Sequence, residues 1–175
     1  MKKNPWWWGI VAMAAVAALI LGLRAAGKAD KAGFFGPGTL LADINLSLEI
    51  LLVLGLTFGM RLARQGRIEA HRRNQTIWVL VNAVLVALIM VGSIATFKLA
   101  HVTDLANAGN FIIVVHALAG TLTLAVGLWL ILQMNDTLPP SLHVAWWKTL
   151  MRIALAGYWA VALLGIATYY FWYAA

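Results

Sequence analysis

Long apolar runs alternate with short polar clusters along this chain. Five runs reach or approach the roughly 20 residues that a helix needs to cross a bilayer core: 6–23, 44–60, 77–97, 111–132 and 153–173. None alternates strictly between apolar and polar positions as a barrel strand would. The pattern therefore predicts an all-α integral membrane protein with five transmembrane helices. The second run is the shortest and carries Glu49, but Leu62 and Ala63 extend its apolar face and its terminal arginines can snorkel to the headgroups. The first run, between Met1-Lys2-Lys3 and Ala25-Ala26-Gly27, also has the outline of a secretory signal. It is longer than the usual signal core, so a retained membrane anchor is the expectation.

Composition agrees: 63% of residues are hydrophobic, 11% are charged, and the absence of cysteine excludes a disulfide scaffold. A net charge of +7 would suggest nucleic acid in a soluble protein. Here the basic residues flank apolar runs, where they orient helices, so no nucleic-acid partner is expected. Lys2, Lys3, Arg61, Arg64, Arg67, Arg72, Arg73, Lys148 and Arg152 fall on one side; Arg24, Lys28, Lys31 and Lys98 fall on the other. Because cytoplasmic loops carry the excess, the N-terminus is expected inside and the C-terminus outside. Trp78, Trp129, Trp146 and Trp147 then mark the inner interface, and Tyr169, Tyr170, Trp172 and Tyr173 the outer one. Residues 1–39 read as an N-terminal transmembrane helix with an external loop around Gly36-Pro37-Gly38, and residues 40–175 as a four-helix membrane domain.

The candidate chemistry rests on few side chains. His71 and His143 fall on the cytoplasmic side, His101 and His116 toward the outside, and His116 alone lies within a predicted span. His71 to His101 and His116 to His143 are each separated by about 40 Å or more of helix, so any histidine pair must form between helices. In VVHALAGTLTLAVG, positions His116, Gly120, Thr123 and Gly127 share one helical face. Loss of bulk beside a histidine could leave a slot for a porphyrin with an axial imidazole. Equally, Gly120 and Gly127 could let helices approach closely, as Gly55 and Gly59 do in a G-x-x-x-G pattern. Asn45 and Glu49 stand one turn apart on the second helix, at the level of His116. His116, His101 and Glu49 together would suit copper, iron or zinc, or a proton relay; a protonated, hydrogen-bonded Glu49 is the structural alternative. Phosphate-binding loops, H-E-x-x-H and nucleophile elbows are missing, so no enzyme activity is expected.

GRIEAHRR, VVHALAGTLTLAVGLWLIL and LMRIALAGYWAVALLGIATYY resemble the bacterial membrane family known as domain of unknown function 420. The resemblance covers approximately residues 40–173. Members of that family resemble assembly factors of haem-copper cytochrome oxidases. His71, His101 and His116 match three recurrent histidines of the family. The fourth usually stands close to the Met-Arg that opens the last helix, where this chain has Trp147 and Lys148; His143 lies about one turn upstream. The resemblance implies a bacterial inner membrane and haem or copper handling. The resulting expectation is an accessory or assembly protein of a respiratory or photosynthetic complex, partnered by lipid and other membrane subunits. His101 and His116, aided by Glu49, would hold haem or copper on the outer side, with His71 and His143 as an inner pair. A b-type cytochrome and a purely structural subunit are the competing readings.

Overall fold

A computed structural model describes residues 5–92 and 105–174. Its helices are α1 (Pro5–Ala25), α2 (Leu40–Arg64), α3 (Ile68–Leu85), α4 (Ala108–Met134) and α5 (Trp147–Tyr173). All five, with α3 continued to Met90, are long and apolar enough to cross a membrane. They extend past the predicted spans because polar residues at a bilayer surface remain helical when their side chains reach the headgroups.

The clearest difference lies at residues 61–76, which fall between the second and third predicted spans. Only Gln65, Gly66 and Arg67 leave helical conformation there. Gly66 takes a φ of +75°, and the Arg67 N–H donates back to the Leu62 carbonyl at 3.0 Å. A positive φ is open to glycine at little cost, so the chain reverses within three residues and the flanking arginines sit in helix ends.

Helix α2 packs against α3 and α5, and α4 against α3 and α5, closing a four-helix ring. Leu52, Val53, Leu56, Val79, Ile131, Tyr158 and Ala162 fill its centre. Helix α1 lies outside this ring along α3, where fully buried Ile20 joins Val81, Val84, Leu85 and Ile89 in a second apolar cluster. Elsewhere large apolar side chains point outward, among them Phe58, Leu118, Leu122 and Leu163, each more than half exposed. Outward apolar and inward polar groups suit a lipid solvent.

The ends of the bundle differ. At the end holding the α2–α3 turn and the α4–α5 connection, here the basic end, Gln133 and Val144 exchange two hydrogen bonds of 3.0 and 3.1 Å. Asn135 Nδ2 donates to Thr76 Oγ1 at 3.0 Å, tying the end of α4 to α3. At the other end, residues 26–39 fold back as a small hairpin, with Gly33 N–H bonded to the Gly38 carbonyl at 2.9 Å. Thr39 Oγ1 caps α2 and Asn107 Oδ1 caps α4. Within α3, a π turn over Val86–Met90 widens the helix toward the bundle centre.

Candidate functional site

Helix α3 begins with polar residues that would be costly against lipid, and the fold turns them onto α2. Asn74 Nδ2 donates to the Gly55 carbonyl at 2.8 Å, and Gln75 Nε2 to the Leu56 carbonyl at 3.1 Å. His71 Nδ1 bonds the Gly59 carbonyl at 2.8 Å. Gly55 and Gly59 make this possible: a Cβ on Gly55 would overlap the Trp78 indole, and one on Gly59 would meet the amides of Asn74 and Gln75. A carbonyl can only accept, so the proton of a neutral His71 resides on Nδ1. Its lone pair is then held on Nε2.

His71 borders a cavity of about 730 Å³ at the basic end between α2, α3, α4 and α5. That volume is within the range of cofactor pockets. Leu56, Met151 and Leu155 supply apolar walls, while Arg64, Arg72, Lys148 and Arg152 bring positive charge to it against the one carboxylate of Asp136. His143 stands at the exposed rim, where its Nε2 donates to the Leu138 carbonyl at 3.0 Å. His71 and His143 therefore border one cavity, His71 buried and His143 at the surface.

Toward the bundle centre, Glu49 of α2 and His116 of α4 face each other, with Oε1 3.9 Å from Nε2. Both are more than nine-tenths buried. His116 Nδ1 donates to the Val161 carbonyl at 3.2 Å, which leaves Nε2 directed at the acid. Gly165 of α5 provides the space, since a Cβ there would collide with Glu49 and approach His116 Cε1 to 3.3 Å. The separation of 3.9 Å is too long for a hydrogen bond, and among the described residues Glu49 Oε1 has no partner. A cavity of about 20 Å³ adjoins it, bordered by Asn82, Thr123 and Tyr158.

His101, the third expected metal ligand, lies outside the described residues. Among those described, no three His, Cys, Asp or Glu side chains converge on a metal-sized site. The face of α4 carrying His116, Gly120, Thr123 and Gly127 is covered by α5. Tyr158 lies over Gly127 and Gly157 over Thr123, while a Cβ at Gly120 would make only an ordinary 3.7 Å contact with Val161. That face therefore serves helix packing at Gly127, and the larger cavity opens elsewhere.

Sequence reasoning passed over Asp43 and Tyr158. Asp43 is fully buried; its carboxylate accepts the Phe35 N–H at 2.6 Å and the Tyr169 hydroxyl at 2.5 Å. It thereby fastens the 26–39 hairpin to α5. The one available signal was an acid in the first turn of a helix. Tyr158 borders both cavities, which nothing in its sequence neighbourhood announces. No family model, curated protein or solved structure matches the chain.

Proposed function

We propose that this chain is a small multipass accessory or assembly protein of a bacterial respiratory or photosynthetic membrane complex, and that it binds haem in the basic-end cavity. The observation that carries this reading is His71: its ring is oriented by the Gly59 carbonyl, and it borders a cofactor-sized cavity. A backbone acceptor on one ring nitrogen is the usual means of presenting the other to a metal. Arg64, Arg72, Lys148 and Arg152 would receive the carboxylates of such a macrocycle. His143 is the candidate for a second imidazole, and two imidazoles on one cavity favour electron transfer as the alternative role. Bound haem would supply one-electron redox chemistry.

A bare copper ion suits the described residues less well, because no three donors converge. A porphyrin brings its own equatorial nitrogens and asks the protein only for axial ligands. In this reading Glu49 and His116 stand apart from the haem. Among the described residues Arg61, Arg64, Arg67, Arg72, Arg73, Lys148 and Arg152 lie at the turn side, against Arg24, Lys28 and Lys31 at the other, which supports a cytoplasmic basic end in the bacterial inner membrane.

Haem titration of purified protein, followed by absorbance, tests the reading. Wild type should bind with an imidazole-ligated spectrum, and His71→Ala should weaken binding by about tenfold or more, equivalent to about 1.4 kcal/mol. His116→Ala should bind as wild type does. Equal affinity and an unchanged spectrum in His71→Ala would dismiss His71 as a ligand.

A further inference from the structure

Among the described residues, buried polar atoms without partners are not scattered through the bundle. Asn45 Oδ1 and Glu49 Oε1 belong to α2, and Tyr158 OH and Thr168 Oγ1 belong to α5; these two helices pack together. A fifth such atom, Asn135 Oδ1, lies apart at the basic end. An unpaired buried polar group costs about 1–3 kcal/mol, so four on two helices that pack together represent a large, localised expense for a small bundle.

The seam has an order. At the basic end, Tyr158 borders the large cavity and, on its other side, the small one. At about 20 Å³ the small cavity exceeds the ~10–15 Å³ needed to admit one water. Asn82, Thr123 and Tyr158 supply polar neighbours, and the π turn sets Val86 and Met90 on its wall. Next come Glu49 and His116, facing each other at 3.9 Å. One turn nearer the hairpin stands Asn45, with Thr168 on α5; beyond them Asp43 is bonded to Tyr169. The titratable groups along this line are Tyr158, Glu49, His116, Asp43 and Tyr169. Among the described residues no lysine or arginine forms an ion pair with either acid, since the salt bridges of arginine all lie at the basic end.

We propose that the α2–α5 seam is a proton path through the bundle, with Glu49 and His116 as its central station and a water in the small cavity as the link to the basic-end cavity. The water takes a proton from the basic-end side as it gives one to Glu49 Oε1, so the carboxylate becomes a carboxylic acid and the water is regenerated. A side-chain rotation that closes the 3.9 Å gap to hydrogen-bond distance lets that acid pass its proton to His116 Nε2, which restores the carboxylate and makes an imidazolium. Loss of that proton from Nε2 to water entering from the hairpin end, which Asn45 and Thr168 can hydrogen-bond, returns the imidazole to its neutral form. The direction follows the proton gradient, and no oxidant or reductant enters. The proposal goes beyond haem binding and is independent of it.

The test uses haem-free full-length protein in vesicles of phosphatidylethanolamine and phosphatidylglycerol, with a pH-sensitive dye inside and a potassium diffusion potential set by valinomycin. Wild type should acidify or alkalinise the lumen several-fold faster than protein-free vesicles, according to the sign of the potential. Glu49→Gln should fall to the protein-free rate, and Tyr158→Phe, which keeps the ring and removes the hydroxyl, should lower the flux several-fold. Glu69→Gln, at an exposed residue away from the seam, should match wild type. A wild-type rate equal to that of protein-free vesicles overturns the proposal whatever the variants do, and so does undiminished flux in folded Glu49→Gln.

Discussion

Replacing Gly55 by alanine should destabilise the bundle far more than replacing Gly22, although both glycines sit inside membrane-length helices. Around Gly22 nothing lies within 4 Å of the added methyl. That substitution should gain the helix preference of alanine over glycine, about 0.5–1 kcal/mol. At Gly55 the methyl would occupy the position of the Trp78 indole, whose Cδ1 is 2.7 Å from the ideal Cβ. A rigid ring must move as a unit, and such overpacking costs about 1–3 kcal/mol. Separating α2 from α3 would also stretch the 2.8 Å bond from Asn74 to the Gly55 carbonyl, worth about 1 kcal/mol. The two variants should therefore differ by about 2–4 kcal/mol. Unfolding followed by tryptophan fluorescence in mild detergent measures this, and the response of Trp78 itself would report the displacement. Because the same crossing holds His71 against Gly59, Gly55→Ala should also weaken haem binding, whereas Gly22→Ala should not. Equal unfolding midpoints would refute the claim that the α2–α3 glycines are required by close approach.

Two further outcomes follow from polar contacts at the ends of the bundle. Asp43→Asn replaces one acceptor oxygen by an NH2, so the charge-assisted bonds are lost and either the Tyr169 hydroxyl must turn to accept or the Phe35 N–H faces a donor. It should cost about 1–3 kcal/mol and speed hydrogen exchange at the Phe35 amide; unchanged exchange would show that Asp43 does not fasten the hairpin. Asp136→Asn should be nearly silent, within about 0.5 kcal/mol, because the carboxylate is 85% exposed and 3.9 Å from Arg72. Arg72→Met should cost about 1 kcal/mol more, since it removes the bond to the Met134 carbonyl; equal losses in the two variants would contradict this ranking.

The helices were legible because a bilayer imposes long apolar runs that few other environments require. Their ends were not. Residues Ile68 to Thr76 look like loop by composition, yet they are helical because His71, Asn74 and Gln75 find carbonyls on α2. The approach of Glu49 to His116 could be anticipated from depth alone, as each stands about one and a half turns inside its predicted span. Depth says nothing of the facing direction, which Gly165 and the Val161 carbonyl determine. The basic-end cavity was hidden for a different reason: it is a property of four helices, and no single face of α2 or α5 reveals it. Asp43 and Tyr169 are 126 positions apart, so their bond exists only once the ring has closed.

The three-residue reversal at Gln65, Gly66 and Arg67 bears on how the chain enters the membrane. With so short a connection, α2 and α3 can insert as one antiparallel pair. The donors His71, Asn74 and Gln75 would enter the membrane already matched to carbonyls of the preceding helix, which removes most of the penalty for carrying bare polar groups into lipid. Assembly would then begin from a sealed helical hairpin, onto which α1 docks along one side and α4 with α5 along the other.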